Sequence, residues 1–136
     1  MEIKIVKNKI ALAEVKRLAE ESYGEMVKVV ADIGQGILAI GGEMHADAEQ
    51  LLLENGSLQE DLWGFNIYPE AEEDGFLEYV SFINIRPKQN NRSQEISDIE
   101  VDVEFKRIGR TVTGFYFKVK SKRQNILPFE EFQPSK

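Results

Sequence analysis

The sequence predicts an α+β domain: a mixed or antiparallel β-sheet packed on an N-terminal helix, with a C-terminal β-hairpin. Three observations carry this. Ala11 to Tyr23 repeats apolar residues at spacings of three and four, the signature of one buried helix stripe. Short apolar runs begin at Met26, Ile37, Leu62 and Leu77, each bounded by Gly, Pro or polar residues, as strands are. Ile99 to Phe105 and Phe115 to Val119 alternate apolar with polar residues at the strand period of two. At 136 residues, 42% apolar and 30% charged, the chain fits a single globular domain. Its core is expected at about 1–97, with the hairpin and tail at about 98–136.

In chain order, Ile3 and Ile5 flank Lys4 and suit a short edge strand or an extended arm. The helix stripe is Leu12, Val15, Leu18, Ala19 and Ser22, and Gly24 stands where a helix C′ residue accepts positive φ. Met26–Ile33 and Ile37–Gly42 form a hairpin across Gly34-Gln35-Gly36. Gly41-Gly42 marks a bulge or a close backbone approach. His45 to Asn55 fits either type of element, with the balance toward helix. Its Ala, Glu and Leu residues form helices well, whereas Asn55-Gly56 reads as a helix stop or as a hairpin turn. Leu62–Tyr68 and Leu77–Ile85 are expected strands, joined by the acidic loop Pro69–Gly75 and ended by Pro87. Lys88 to Ser97 is a polar loop, and Gly109 lies in the turn of the C-terminal hairpin. Gln124 to Lys136 reads as a tail pinned by Leu127, Phe129 and Phe132.

The absence of Cys excludes disulfides, thiolate metal sites and Cys nucleophiles, and the single His excludes a site with two His ligands in one chain. No apolar run is long enough for a membrane span and no signal peptide is apparent, so a cytoplasmic protein is expected. Neither a phosphate-binding G-x-x-x-x-G-K-[ST] loop nor a G-x-S-x-G nucleophile elbow is present.

The net charge of −7 conceals a partition. Residues 29–85 hold twelve carboxylates and no Lys or Arg, whereas Lys106 to Arg123 hold seven bases and no acid. Such asymmetry serves a binding face, or it neutralises itself within one molecule or between subunits.

Three polar clusters are the candidate sites. Glu43, His45, Asp47 and Glu49, with Asp61, could supply acid–base or metal chemistry. His45 and Glu49 stay close on either a helix or a strand, and are the candidate metal ligands. The structural alternative is a His held by a carboxylate at a helix start. In the second cluster, Trp63 and Phe65 suit a buried strand, whereas Asn66 beside them needs partners for its amide. The third, Asn84-Ile85-Arg86-Pro87 with Asn90-Asn91-Arg92-Ser93, offers guanidinium forks suited to phosphate or carboxylate. The alternative pairs Arg86 and Arg92 with the acidic segment.

Together, Gly41-Gly42-Glu43-Met44-His45-Ala46-Asp47-Ala48-Glu49, Asp61-Leu62-Trp63-Gly64-Phe65-Asn66-Ile67-Tyr68-Pro69 and Ile83-Asn84-Ile85-Arg86-Pro87 with Asn91-Arg92-Ser93 resemble an uncharacterised prokaryotic protein family. The resemblance covers about residues 1–95 and implies kinship without an activity. After Ser93 the chain departs from the family, whose members tend to close with a short helix. Val103 to Lys120 faintly resembles the hairpin wing of plasmid replication initiators.

The leading expectation is a binding module for an anionic ligand, contacted by Arg86, Asn91, Arg92, Asn66 and Trp63. Nucleic acid is one form of that ligand, with Lys106, Arg107, Arg110, Lys118 and Lys120 facing phosphates. The alternatives are an assembly protein, in which acidic and basic faces of a homo-oligomer meet, and a metal-dependent hydrolase centred on His45. No cofactor is implied.

Overall fold

The computed structural model describes residues 1–96 and 99–121. The expected tail at 124–136 lies outside them. Two antiparallel sheets make up the α+β architecture. The first sheet takes strands β1 (Ile3–Val6), β3 (Val27–Asp32), β4 (Ile37–Gly41), β5 (Leu62–Ile67) and β6 (Leu77–Glu78) in the order β1-β4-β3-β5-β6. The second takes β2 (Lys9–Ala11), β7 (Ile99–Ile108) and β8 (Thr111–Ser121) in the order β2-β8-β7. The C-terminal hairpin therefore builds a sheet of its own with β2, a strand too short to stand out in the sequence.

Helices α1 (Leu12–Glu21) and α2 (His45–Glu54) cover opposite faces of the first sheet. Strand alternation sends Val27, Val29, Ala31, Leu38, Ile40 and Phe65 toward Val15, Leu18 and Ala19 of α1 and Phe115 and Phe117 of β8. Val30, Ala39 and Leu62 face the other way, onto Ala48 and Leu52 of α2. Each strand of the hairpin Val27–Gly41 thus feeds two apolar layers, and its near-continuous apolar runs follow from that. At the end of α1, Gly24 at φ 89° donates its N–H to the Ala19 carbonyl at 2.7 Å. Gly41, at φ 116°, lies so close to β1 that a Cβ would strike the Glu2 carbonyl oxygen, the close approach expected of this glycine pair. The segment from His45 resolves as helix, and Asn55 and Gly56 end it.

One expected strand needs correction. Leu77–Ile85 is not a continuous strand: β6 stops at Glu78, and Phe82–Asn84 forms a 3₁₀ turn. Ser81 starts that turn, its Oγ accepting the Ile83 N–H at 3.2 Å. Ile83 then packs toward α2, while Tyr79 joins the opposite core and Phe82 and Ile85 stay exposed. The alternating pattern was real in the sequence, but a turn with a period of three reuses the same apolar residues. The loop Pro69–Gly75 also holds the start of a one-turn helix, α3 (Glu73–Phe76).

Candidate functional site

The interrupted strand leaves the outer edge of β5 without a full backbone partner, and side chains complete it. The Asn84 amide acts as a surrogate strand. Its Oδ1 accepts the Gly64 N–H at 2.8 Å, and its Nδ2 donates to the Gly64 carbonyl at 2.9 Å and the Gln94 carbonyl at 2.9 Å. Asn91 holds the next loop in the same way, donating to the carbonyls of Asn84 at 2.8 Å, Ser93 at 3.0 Å and Glu95 at 2.7 Å. Asn90, at φ 62°, turns the chain between Arg86 and Asn91, whose backbones bond in both directions.

Arg86 belongs to this knot. Its guanidinium lies 4.3 Å from the centre of the Trp63 ring. Nε donates to the Ile83 carbonyl at 3.0 Å, and Nη1 donates to the Gln59 carbonyl at 2.6 Å and to Gln89 Oε1 at 3.1 Å. Its charge meets no carboxylate in an ion pair among the described residues, and Nη2 is buried without a partner. Trp63 Nε1 is a second buried donor without an acceptor. Burial pushes the Arg86 guanidinium below its ordinary value, while Glu49 acts in the opposite sense. Arg92 is exposed.

His45 is the first residue of α2 and is buried against β5, where its Nε2 donates to the Phe65 carbonyl at 2.8 Å. Burial is the main cause that lowers its pKa to about 4, against the pull of the Phe65 carbonyl. The ring is therefore neutral near pH 7. The carboxylates around it in sequence do not converge on it. Glu43 is exposed, and its backbone carbonyl accepts the Tyr23 hydroxyl. Asp47 points to its own helix start and accepts the Met44 N–H at 3.1 Å. Glu49 is half-buried, with no hydrogen bond to His45. Asn66 donates to Glu78 at 2.8 Å and leaves Oδ1 buried and unpartnered. Among the described residues, no three His, Asp or Glu side chains are grouped as a metal site requires.

Asp61 sits instead beside a second carboxylate, Asp32, which is not among the three polar clusters of the sequence. Asp32 is buried at the end of β3 and accepts the N–H groups of Gly34 at 2.8 Å and Gln35 at 2.9 Å. It also accepts the Gln35 amide at 2.7 Å and the Ser57 hydroxyl at 2.6 Å. The Asp-x-Gly spacing at Asp32–Gly34 is a local turn signal that could have revealed it. Asp61 has its pKa raised, first by burial and then by Asp32 and Glu60.

The basic hairpin divides into two parts. Strand register places Asp102 opposite Lys118 and Glu100 opposite Lys120. The side chain of Lys120 lies outside the described residues. Toward the turn no acid lies opposite: Lys106 faces Gly114, and Arg107 faces Val112. Residues 106–111 are all exposed, and Arg110 lies among them. A cleft of about 500 Å³ opens beside this tip, lined in part by Lys4, Lys9, Lys106 and Ile108. Its one carboxylate, Glu14, is held by Arg17 at 2.9 Å and Lys4 at 2.9 Å, which keep its pKa down at about 2. Lys9 joins this cleft from almost a hundred residues away, a proximity that no local pattern carries.

A family model described as "Protein of unknown function (DUF5674)" matches residues 4–112. The chain belongs to that family. The expected departure from the family after Ser93 does not hold, because the match runs on through β7 and the hairpin turn. No curated protein and no solved structure matched the chain. In this DUF5674 chain, two of the three polar clusters meet at the β5 edge as a structural knot, and the other places His45 against the same strand. Among the described residues, no helix is long and apolar enough to cross a membrane.

Proposed function

We propose that this chain is a binding module for an anionic ligand, and that the hairpin tip contacts the phosphate backbone of nucleic acid. One observation carries the reading: the bases without an acid opposite them gather at one exposed end. Lys106, Arg107 and Arg110 lie at the turn, and Lys9 and Lys106 line the adjoining cleft. Lys118, also expected to face phosphate, has Asp102 opposite it in the register and serves as the comparison.

Phosphate contacts release condensed counterions, so affinity falls steeply with salt. Four contacts would weaken binding by about a hundredfold between 50 and 200 mM salt. Oligonucleotide titration by fluorescence anisotropy reads this directly. Lys106→Ala with Arg107→Ala and Arg110→Ala should flatten the salt dependence, and Lys118→Ala should leave it nearly unchanged. No binding at low salt, or an unaltered slope in the triple variant, defeats the reading.

A small anion at Arg86 is a second reading with its own support. A half-buried guanidinium, with no carboxylate in an ion pair with it among the described residues, stacks on Trp63, and each residue keeps a buried donor without a partner. Arg86 lines a cleft of about 410 Å³ together with Lys88 and one carboxylate, Glu60. Trp63 is the sole tryptophan, so its fluorescence reports on this place alone. Saturable quenching by inorganic phosphate or citrate, weakened in Arg86→Lys, is the expected result. A response that is linear in concentration, or identical in the variant, removes this site.

A further inference from the structure

We infer that the hairpin tip enters the major groove of duplex DNA, with Ile108 against the base edges between the cations that hold the groove's rims. This rests on the reading of the tip as an anion-binding surface and names the form of nucleic acid it takes. The key side chain is Ile108. It is 73% exposed at the end of β7, and it lines the basic cleft with Lys9 and Lys106. An isoleucine held out in water gains nothing for the fold, because its apolar surface stays wet. Its neighbours are Lys106, Arg107 and Arg110, with no acid among residues 106–111. An apolar protein partner would have to bury those three charges unpaired, at a large desolvation cost. A nucleic-acid groove instead offers phosphates along its walls and apolar base edges, thymine methyls included, at its floor.

Shape selects among nucleic acids. The tip is a two-stranded ribbon with Gly109 at φ 62° in its turn. The major groove of B-form DNA, about 12 Å wide, admits such a ribbon. The deep, narrow major groove of A-form RNA does not. A single strand provides phosphates without a groove, and there Ile108 has no floor to touch.

The test compares one sequence as a DNA duplex, an RNA duplex and a single DNA strand, all at one salt concentration, by anisotropy. Ile108→Ala leaves the core intact, and an unchanged melting temperature would verify that. The variant should bind the DNA duplex about tenfold more weakly, as expected for losing a few buried CH₂ groups. Its salt slope and its affinity for the single strand should match the wild type. Equal affinity of wild type and Ile108→Ala for the DNA duplex overturns this inference, as does a preference for the RNA duplex or the single strand. If Ile108→Ala is silent while the triple base variant loses binding, only groove entry fails and the anion reading stands. If both variants bind as the wild type does, the anion reading at the tip fails as well.

Discussion

Acidification should destabilise the fold through His45, and the size of the effect follows from its surroundings. In the folded chain burial lowers the pKa of the ring to about 4, against an ordinary value of 6.5. Between these values the unfolded chain takes up a proton on the imidazole and the folded chain does not. Protons therefore favour the unfolded state, and stability falls as the pH drops from about 6.5 through about 4. The interval corresponds to roughly 3 kcal/mol, at about 1.4 kcal/mol per pH unit. Because the chain has one histidine, its imidazole proton resonance is assigned without mutagenesis. The folded ring should show no titration between pH 8 and 5.5, with a midpoint near 4. Urea unfolding at pH 7 and pH 4.5 should then be compared between the wild type and His45→Gln, whose amide can still donate toward the Phe65 carbonyl. The wild type should lose about 2 kcal/mol more than the variant over that range. A midpoint near 6.5, or equal acid sensitivity in the two proteins, would refute the argument that a buried neutral imidazole donates to Phe65.

Other substitutions test the β5 edge and the β3 turn. Asn84→Ala removes all three amide bonds and strands the buried N–H and carbonyl of Gly64; it should cost about 3 kcal/mol by urea unfolding, and a loss below 1 kcal/mol would contradict the surrogate-strand role. In Gly64→Ala the new Cβ would lie 2.7 Å from Ser81 Cβ and 3.1 Å from His45 Cδ2, so a loss of about 2 kcal/mol is expected; a neutral result would mean that the knot yields easily. Asp32→Ala leaves two N–H groups, the Gln35 amide and the Ser57 hydroxyl without their acceptor, for about 3 kcal/mol. Asp32→Asn removes one of the charges that raise Asp61, so the Asp61 carboxyl should titrate lower by NMR; an unmoved midpoint would refute the Asp32 contribution and leave burial and Glu60 as the causes.

The sequence by itself determined the elements whose period is local. The stripe on α1, the alternation of β7 and β8 and the glycines at 24, 41 and 109 were legible because each depends on neighbours within a few residues. It also limited the chemistry, since without cysteine and with one histidine many metal and nucleophile arrangements could not arise. The tertiary structure decided where each polar residue points. Glu43, Asp47 and Glu49 crowd His45 in sequence, yet α2 turns His45 inward and leaves Glu43 and Asp47 outside, because a helix start has a buried side and a wet side. Asn91 is a ligand donor on its sequence context, and Asn84 has no assigned role there, but a strand ending at Glu78 leaves β5 with an open edge, and buried backbone groups take the nearest amides available. The even basic run from Lys106 was split by register. Antiparallel pairing sets acids opposite its far end and none opposite its tip, and only the folded hairpin shows which bases have no acid across from them.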